Sequence, residues 1–326
     1  MTERPPFPFV VGCERSGTTL LRLILDAHPE LAVPPESYFI VDLYRSHGRS
    51  AHGRVDVEAM AADLEANRWF RAWDLPEGEA ARILGSERGE GADAADGLDF
   101  AGAVRRVYSR YAELHGKPRY GDKTPAYVQH IRLLAQVFPE ARFVHLIRDG
   151  RDVAMSLAEV RWGPGDVLDA ALQWAERVSR GREAGHQVGA HRYLEVRYER
   201  LVADPEPLLR EVAEFCGLSF DEAMARHPER AAERIPQRPE ALHRRAATAP
   251  SATGRDWRRD MAGDDLAAVE ALIGGALAEL GYERGVPHVP TEAARRARAA
   301  VARRRRRHFV RRMKLYLRGE RRVEGP

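Results

Sequence analysis

Cysteine is scarce in this chain, which has 326 residues and two cysteines, Cys13 and Cys216. Two cysteines provide neither a disulfide framework nor a cysteine-based metal site, so small folds stabilised by several disulfides are excluded. Long apolar runs are also missing, since no stretch approaches the roughly 18 residues needed to span a bilayer. No apolar signal segment precedes the first predicted strand. We therefore expect a cytoplasmic protein that folds around an ordinary hydrophobic core.

Acidic residues are scarce at the end of the chain, although the net charge of the whole is only +3. Residues 291–326 contain thirteen arginines and one lysine against three glutamates, a net charge of +11. The first 290 residues therefore carry −8, the difference between +3 and +11. A chain of this length allows one large domain, or one domain plus an insertion. The charge asymmetry separates a body, 1–290, from a basic tail, 291–326.

The most informative stretch is residues 12–19, which read Gly-Cys-Glu-Arg-Ser-Gly-Thr-Thr. An apolar, β-prone run precedes it at 7–11, and an apolar helical run follows it at 20–25. A strand, a glycine loop and the start of a helix together form a site that binds anions. The free backbone N–H groups and the helix dipole point at the bound negative group. Thr18 stands where the phosphate loop of nucleoside triphosphatases has lysine, so a magnesium-bound triphosphate is disfavoured.

Two further stretches place charged side chains at predicted strand ends. The sequence Gly-Asp-Lys-Thr-Pro contains a cation, Lys123, and Thr124, which suits a helix N-cap. The buried strand 142–147 is followed by Arg148, and Ser156 falls two turns into the next helix. Ligands of open α/β sheets bind beyond the carboxyl ends of the strands, so Arg148 is a candidate phosphate ligand.

The second half of the chain contains two aromatic candidates. Tyr198 follows a predicted strand at 192–197, where a tyrosine is as often a core residue as a ligand. Near the end of the body, a glycine hinge, a cation and an aromatic face come together in Gly254, Arg255 and Trp257. Such a segment suits a lid over an anionic purine nucleotide.

Together these segments resemble the sulfotransferases that use 3′-phosphoadenosine-5′-phosphosulfate (PAPS). Residues 15–20 resemble the 5′-phosphosulfate loop of that family. Residues 26–30 and 35–37 are similar to the branch that contains the tyrosylprotein sulfotransferases and many bacterial relatives. The resemblance covers about two-thirds of the chain and leaves 41–118 and the tail unassigned.

The fold that this resemblance implies is α/β, a P-loop-like three-layer sandwich with a mostly parallel central sheet. The alternation of strands with helices independently predicts an α/β domain with a largely parallel sheet. Residues 1–290 then form the sulfotransferase domain, in which 41–118 is a helical insertion that shapes the acceptor site.

The implied reaction is in-line transfer of the sulfuryl group from PAPS to an acceptor hydroxyl, without a metal. The product is 3′-phosphoadenosine-5′-phosphate (PAP). Glu36 matches the glutamate that takes the acceptor proton, and Arg15 with Lys123 would stabilise charge on the bridging oxygen. Arg148 and Ser156 match the residues that hold the 3′-phosphate in the family. The full implied cofactor set is Arg15, Ser16, Gly17, Thr18, Thr19, Arg148, Ser156, Tyr198, Gly254, Arg255 and Trp257.

Several alternatives stay open at this point. His28 and His47 are rival bases, although a lone histidine is more often structural or solvated. A P-loop nucleotide kinase or triphosphatase without the usual lysine is one rival function, and a basic adaptor that binds nucleic acid through the tail is another. The acceptor could be a small molecule, a lipid-linked molecule or a peptide. Three aromatic residues either pack the core or contact that acceptor: Trp69, Phe70 and Trp73.

The basic tail has an amphipathic pattern. Beyond the cationic run 303–307, one helical face carries four apolar residues, Phe309, Met313, Tyr316 and Leu317. This pattern suits a helix on an anionic membrane, at about 1 kcal/mol per basic residue near the surface. The alternative is that the same face packs on the acidic body. Membrane attachment would favour a lipid-linked acceptor and a peripheral position at the inner membrane surface. Nothing near the tail offers side chains that would recognise nucleic-acid bases, so we expect no nucleic-acid partner.

Overall fold

The computed structural model describes residues 4–48, 53–85, 97–226 and 255–317. The chain forms two compact units, each assembled from two segments. The first unit consists of Met1–Arg148 and Arg180–Thr253, and the second of Asp149–Ser179 and Gly254–Pro326. Of the predicted ligands, Gly254 lies outside the described residues, as does the end of the tail from residue 318.

Short strands alternate with helices along the described residues. The strands are β1 (Phe7–Gly12), β2 (Leu31–Ala32), β3 (Arg119–Tyr120), β4 (Asp122–Lys123), β5 (Ala141–Ile147) and β6 (Tyr193–Arg197). The helices before β6 are α1 (Thr18–Ala27), α2 (Phe39–His47), α3 (Val57–Ala66), α4 (Arg68–Arg71), α5 (Glu79–Gly85), α6 (Phe100–Leu114), α7 (Ile131–Val137), α8 (Gly150–Ala158) and α9 (Val167–Val188). Those after it are α10 (Tyr198–Ala203), α11 (Pro205–Phe215), α12 (Glu222–Ala225), α13 (Trp257–Asp260), α14 (Gly263–Glu279) and α15 (Thr291–Leu317).

The first unit is built on a parallel four-stranded sheet in the order β4-β1-β5-β6. All of β1 is buried, and its apolar side chains alternate between the two faces of the sheet. Phe7, Phe9 and Val11 join one apolar cluster, whereas Val10 joins another. The strands β2 and β3 form a separate parallel pair.

Helices cover both faces of this sheet. The cluster around Phe9 contains residues from α2 to α7, among them Phe39 and Ile131. The cluster around Val10 contains residues from α1, α10, α11 and α12, among them Ile24. The predicted α/β fold with a mostly parallel central sheet is therefore confirmed, and in the first unit the sheet lies between two helical layers.

The segment after β4 differs from its prediction. Thr124 makes no side-chain cap to the helical turn that follows, because its hydroxyl is bonded to Ser37 and Asp122 instead. The chain then forms a 3₁₀ turn, Pro125–Gln129, before α7 begins at Ile131. Thr124 thus makes tertiary hydrogen bonds instead of capping a helix.

The second unit is organised around a buried arginine on α8. Arg151 is fully buried and forms ion pairs with Asp149 at 2.7 Å and Glu270 at 2.6 Å. Its guanidinium carbon lies 3.5 Å from the centroid of the Trp257 ring. Glu270 also accepts a hydrogen bond from the Gly285 N–H at 2.6 Å. One cation therefore ties α8, α13 and α14 together.

The basic tail begins as α15, which packs within the second unit. Ala293, Ala297 and Ala300 are buried, and small side chains let this helix approach α14 closely. Three ion pairs connect it to α14 and α9: Arg296 with Asp265, Arg304 with Glu176, and Arg307 with Asp169. The first part of the tail thus contacts the body. In the described ranges, no helix combines the length and the apolar character required to cross a membrane.

Candidate active site

The loop between β1 and α1 has a narrowly defined backbone. Gly17 is the N-cap of α1 and has a φ of 96°. A Cβ atom at this position would lie 2.5 Å from the ring of Tyr198, so a larger residue does not fit. Arg15 also has a positive φ, 72°, a conformation that residues with a side chain adopt rarely and that clusters at functional loops. These constraints therefore fix the backbone conformation of the loop that precedes α1.

Tyr198 connects this loop to the end of β5. Its ring packs against Gly17, and the guanidinium carbon of Arg148 lies 4.6 Å from the ring centroid. Because β5 ends at Ile147 and pairs with β1, Arg148 stands at a carboxyl strand end, as predicted. Stacking on an aromatic ring fixes the plane of the guanidinium, whose fork of N–H groups matches a phosphate.

Donor groups line the loop. Ser16 is fully buried, and among the described residues its Oγ has no hydrogen-bond partner. Thr18 and Thr19 open α1, whose N-cap makes no side-chain hydrogen bond. The first N–H groups of a helix lack partners within the helix, and a buried hydroxyl without a bond is destabilising. Both observations fit an anionic oxygen of a bound ligand as the missing partner.

The lysine that the loop lacks is supplied by the neighbouring strand. β4 pairs with β1 so that Lys123 lies opposite Val10. Its Nζ is 3.4 Å from Thr19 Oγ1 and forms an ion pair with Glu36 Oε1. The ammonium group therefore stands between the anion loop and the candidate base.

Burial and mutual attraction set the charges of this pair. Burial alone would raise the pKa of Glu36, but the attraction and hydrogen bond of Lys123 outweigh it and hold the pKa at about 2. Burial lowers the pKa of Lys123, partly opposed by the negative charge of Glu36. The Glu36 side chain is 25% exposed, whereas Lys123 is buried. At neutral pH, Glu36 is thus ionised and has access to solvent.

Arg22 is a further charged residue near this pair, which the sequence did not single out. It lies on α1, one turn after Thr18, and it is buried. Its positive charge contributes to lowering the pKa values of both Glu36 and Lys123, which places it near the pair. The sequence did contain a signal for this residue, since it is an arginine inside the apolar run 20–25. A charge buried in such a run requires a partner.

The two rival bases have structural partners. His28 accepts a hydrogen bond at Nδ1 from the N–H two residues later, at 3.1 Å, so its Nε2 donates to the Ser219 carbonyl at 2.9 Å. His47 is paired with Asp63 at 2.8 Å. Glu36 is therefore the better candidate base. The described part of the chain contains no group of three or more His, Cys, Asp or Glu side chains that could hold a metal ion.

The aromatic residues at positions 69, 70 and 73 differ in how deeply they are buried. Phe70 and Trp73 are buried in the core, as the packing interpretation expected. Trp69 is half-buried and packs against Tyr38, with the ring centroids 4.4 Å apart and the ring planes tilted by 31°. Tyr38 follows Glu36 by two residues, so Trp69 reaches the segment that carries the candidate base.

Three predicted ligands belong to the second unit. Ser156 is half-buried on α8, and Arg255 forms an ion pair with Glu159. Trp257 is buried, with the guanidinium of Arg151 against its ring. This placement differs from the aromatic face predicted for a lid, because the ring is used to hold α13 on α8.

Comparison with known proteins identifies the family. The family model described as the sulfotransferase family matches residues 6–222. The nodulation protein NoeE of Sinorhizobium fredii is 28% identical over 313 residues, which cover 87% of this chain and 68% of that protein. Protein-tyrosine sulfotransferase A of Caenorhabditis elegans is 25% identical over 229 residues, which cover 68% of this chain and 52% of that protein. Protein-tyrosine sulfotransferase 2 of Gallus gallus is 27% identical over 235 residues, covering 70% and 55%.

This chain spans about half the length of the two tyrosine sulfotransferases. Among solved structures, the sulfotransferase domain of the Synechococcus PCC 7002 olefin synthase aligns over 92% of this chain and 96% of that domain, with a TM-score of 0.48 and 23% identity. The family model extends over about two-thirds of the residues and contains the loop, the candidate base, Lys123 and Arg148. The chain belongs to the sulfotransferase family.

Proposed function

We propose that the chain transfers the sulfuryl group of PAPS to an acceptor hydroxyl and releases PAP. The observation that carries this proposal is the contact of Lys123 with both Thr19 and Glu36. This contact joins an anion loop, a buried cation and a carboxylate at the carboxyl ends of parallel strands, where such sheets bind ligands. Membership of the sulfotransferase family supports the same reaction.

The residues of the first unit fit the two anionic ends of this nucleotide. The N–H groups at the start of α1 and the hydroxyls of Ser16, Thr18 and Thr19 would donate to the 5′-phosphosulfate. Arg148, stacked on Tyr198, would hold the 3′-phosphate, since a planar guanidinium makes paired hydrogen bonds to phosphate.

PAPS supplies the sulfuryl group, whose bond to the bridging oxygen breaks in line as a bond to the acceptor oxygen forms. The proton of the acceptor hydroxyl passes to Glu36, while Lys123 and Arg15 stabilise the charge left on the bridging oxygen. A pKa of about 2 makes Glu36 a weak base while Lys123 is paired with it. The charge of an anion bound beside Lys123 would compete with Glu36 for the ammonium group, so this ion pair would weaken and the pKa of Glu36 would rise toward its ordinary value.

The acceptor hydroxyl would approach Glu36 from the solvent side, because Glu36 is partly exposed and Lys123 is not. The packed rings of Tyr38 and Trp69 adjoin this segment and would offer a surface for an apolar or ring-shaped part of the acceptor. Relatives named protein-tyrosine sulfotransferases make a tyrosine-bearing peptide one acceptor to test, alongside small and lipid-linked hydroxyl compounds.

We also propose that the end of α15 attaches the protein to an anionic membrane surface. Phe309, Val310 and Met313 are 66%, 42% and 43% exposed, and exposed arginines at 305 and 306 precede them. Anionic lipids of the cytoplasmic leaflet attract such a segment by about 1 kcal/mol per basic residue. This supports a cytoplasmic protein that is peripheral at the inner membrane surface.

Calorimetry with PAP and AMP tests the nucleotide assignment. We expect PAP to bind far more tightly than AMP, because only PAP carries the 3′-phosphate. Arg148→Ala should weaken PAP binding about tenfold or more, since a charge-assisted contact contributes roughly 1.5–3 kcal/mol. Arg210→Ala, which removes an exposed arginine paired with Glu206, should leave it unchanged. Equal affinities for PAP and AMP would exclude this function, and magnesium-dependent ATP turnover would favour the kinase alternative.

Flotation with liposomes tests the membrane proposal. The full chain should float at low salt with vesicles that contain phosphatidylserine and stay behind with phosphatidylcholine alone. Truncation after Arg307 keeps the packed part of α15 and should abolish flotation, as should Phe309→Ser combined with Met313→Ser. A full chain that does not float at low salt excludes this role.

A further inference from the structure

The segment that carries Glu36 is held by a buried network of hydroxyl groups. The Ser37 N–H donates to Thr124 Oγ1 at 2.9 Å, and the Ile40 N–H donates to the phenol oxygen of Tyr127 at 3.0 Å. Ser37 Oγ lies 3.1 Å from Thr124 Oγ1 and 3.0 Å from the Tyr127 oxygen. Ser37, Thr124 and Tyr127 are all buried, so water does not compete for these bonds.

The other end of this network rests on the central sheet. Asp122 lies opposite Phe9 of β1, and its Oδ2 accepts hydrogen bonds from Tyr108 at 2.7 Å and from Thr124 at 3.3 Å. Asp122 and Tyr108 are fully buried. Thr124 therefore links Asp122, a residue of the central sheet, to the segment that carries Glu36.

The backbone of the Glu36 segment is held in an unfavourable conformation. Tyr38 has a φ of 46°, in the left-handed region that bulky residues avoid. Such a conformation is destabilising and persists only where the surroundings over-determine it. The two amides bonded to Thr124 and Tyr127, those of Ser37 and Ile40, lie on either side of Tyr38 and hold it there.

We propose that Thr124 and Tyr127 are positioning residues that set Glu36 against Lys123. Lys123, Thr124 and Tyr127 belong to one short stretch of chain, β4 and the turn after it. The same stretch therefore supplies the cation and fixes the backbone of the carboxylate that meets it. This inference rests on the proposed function, because the position of Glu36 matters for turnover only if Glu36 takes the acceptor proton.

Substitutions that remove a hydroxyl without changing the shape of the side chain test the proposal. Thr124→Val and Tyr127→Phe should lower turnover roughly 10–100-fold, because displacement of a catalytic group by about 1 Å can cost 10²-fold. PAP affinity should not change, since neither hydroxyl contacts the loop residues. Turnover is measured as PAP release from labelled PAPS with three probes: water, a simple phenol and a primary alcohol.

Matched controls separate positioning from general loss of stability. Thr124→Ser keeps the hydroxyl and should retain turnover. Tyr193→Phe removes a tyrosine hydroxyl bonded to His145 at 2.6 Å and Glu195 at 3.1 Å, a network that does not include Glu36, and should also retain it. Equal losses of turnover in Tyr193→Phe and Tyr127→Phe would overturn the proposal.

Hydrogen exchange gives a readout that needs no acceptor. In Thr124→Val and Tyr127→Phe, the amides of a peptide over 35–42 should exchange faster than in the parent, whereas those over 12–25 should not. Unchanged exchange at 35–42, or parental turnover in both variants, overturns the proposal. A parent that fails to bind PAP would instead refute the proposed function, and the exchange comparison would still decide whether the hydroxyls hold this segment.

Discussion

The pair Glu36–Lys123 and the tail helix α15 show two different uses of charge in one chain. Lys123 is buried and faces one carboxylate, whereas Arg304 of α15 pairs with Glu176 where the two side chains are 21% and 28% exposed. An exposed pair contributes about 0–1 kcal/mol, while removal of one partner from a buried pair costs about 3–5 kcal/mol. Burial therefore decides how much each of these charged groups contributes to stability.

The largest expected effect is on turnover. Glu36→Gln should lower it by roughly 10²–10⁴-fold, because an amide cannot take the acceptor proton, while PAP binding persists. The measurement is sulfuryl transfer from labelled PAPS to an acceptor found by screening. Glu183→Gln, at an exposed glutamate paired with Arg132, is the control and should be neutral. Parental turnover in Glu36→Gln would mean that the proton leaves by another route.

The buried arginine of the second unit should dominate the stability of that unit. Arg151→Met leaves Asp149 and Glu270 buried without their cation, so the free energy of unfolding should fall by about 3–5 kcal/mol in urea titrations. Arg151→Lys keeps the charge but not the planar fork and should lose less. A loss below about 1 kcal/mol for Arg151→Met would mean that burial does not raise the energetic importance of this ion pair.

The pH dependence of stability should report on Asp122. Burial raises its pKa from 3.8 to about 6 in the folded protein, despite the hydrogen bonds it accepts. The unfolded chain therefore ionises this group first, and its contribution to stability falls by about 3 kcal/mol as the pH rises from about 4 to about 6.

Comparison of the parent with Asp122→Asn isolates this effect. Asn does not titrate, so the variant should gain stability relative to the parent across that pH range and not above it. Glu36 acts in the opposite sense, because its pKa of about 2 lies below its ordinary 4.5, but it is common to both proteins. A constant difference between pH 4 and pH 7 would show that Asp122 does not titrate there.

The smallest effect is expected on α15. Arg304→Met makes the same substitution as Arg151→Met in the same unit, but at a pair with Glu176 that is partly exposed on both sides. The free energy of unfolding should change by less than about 1 kcal/mol. A loss above 2 kcal/mol would break the contrast between buried and surface charges.

Several features could be predicted because they depend on local pattern. The alternation of Phe7, Phe9 and Val11 with Val10 encodes a strand buried on both faces, and the glycine loop that follows encodes the turn into α1. Arg148 could be placed at a strand end because the apolar run before it ends at Ile147. These inferences need only the periodicity of the backbone and the chemistry of neighbouring residues.

Other features depend on which distant segments pair. Lys123 lies 104 residues from Thr19 and 87 from Glu36, and only the pairing of β4 with β1 brings them together. The same pairing turned Thr124 from a helix cap into an anchor for Ser37.

The sequence by itself determined the α/β order of elements, the anion loop and the residue types of the site. Tertiary structure decided which cation meets the loop, that Arg22 lies near Glu36, and that Trp257 is buried on Arg151. The reason is physical: backbone periodicity acts over a few residues, whereas burial and ion pairing are properties of surfaces that form only when the whole chain has folded.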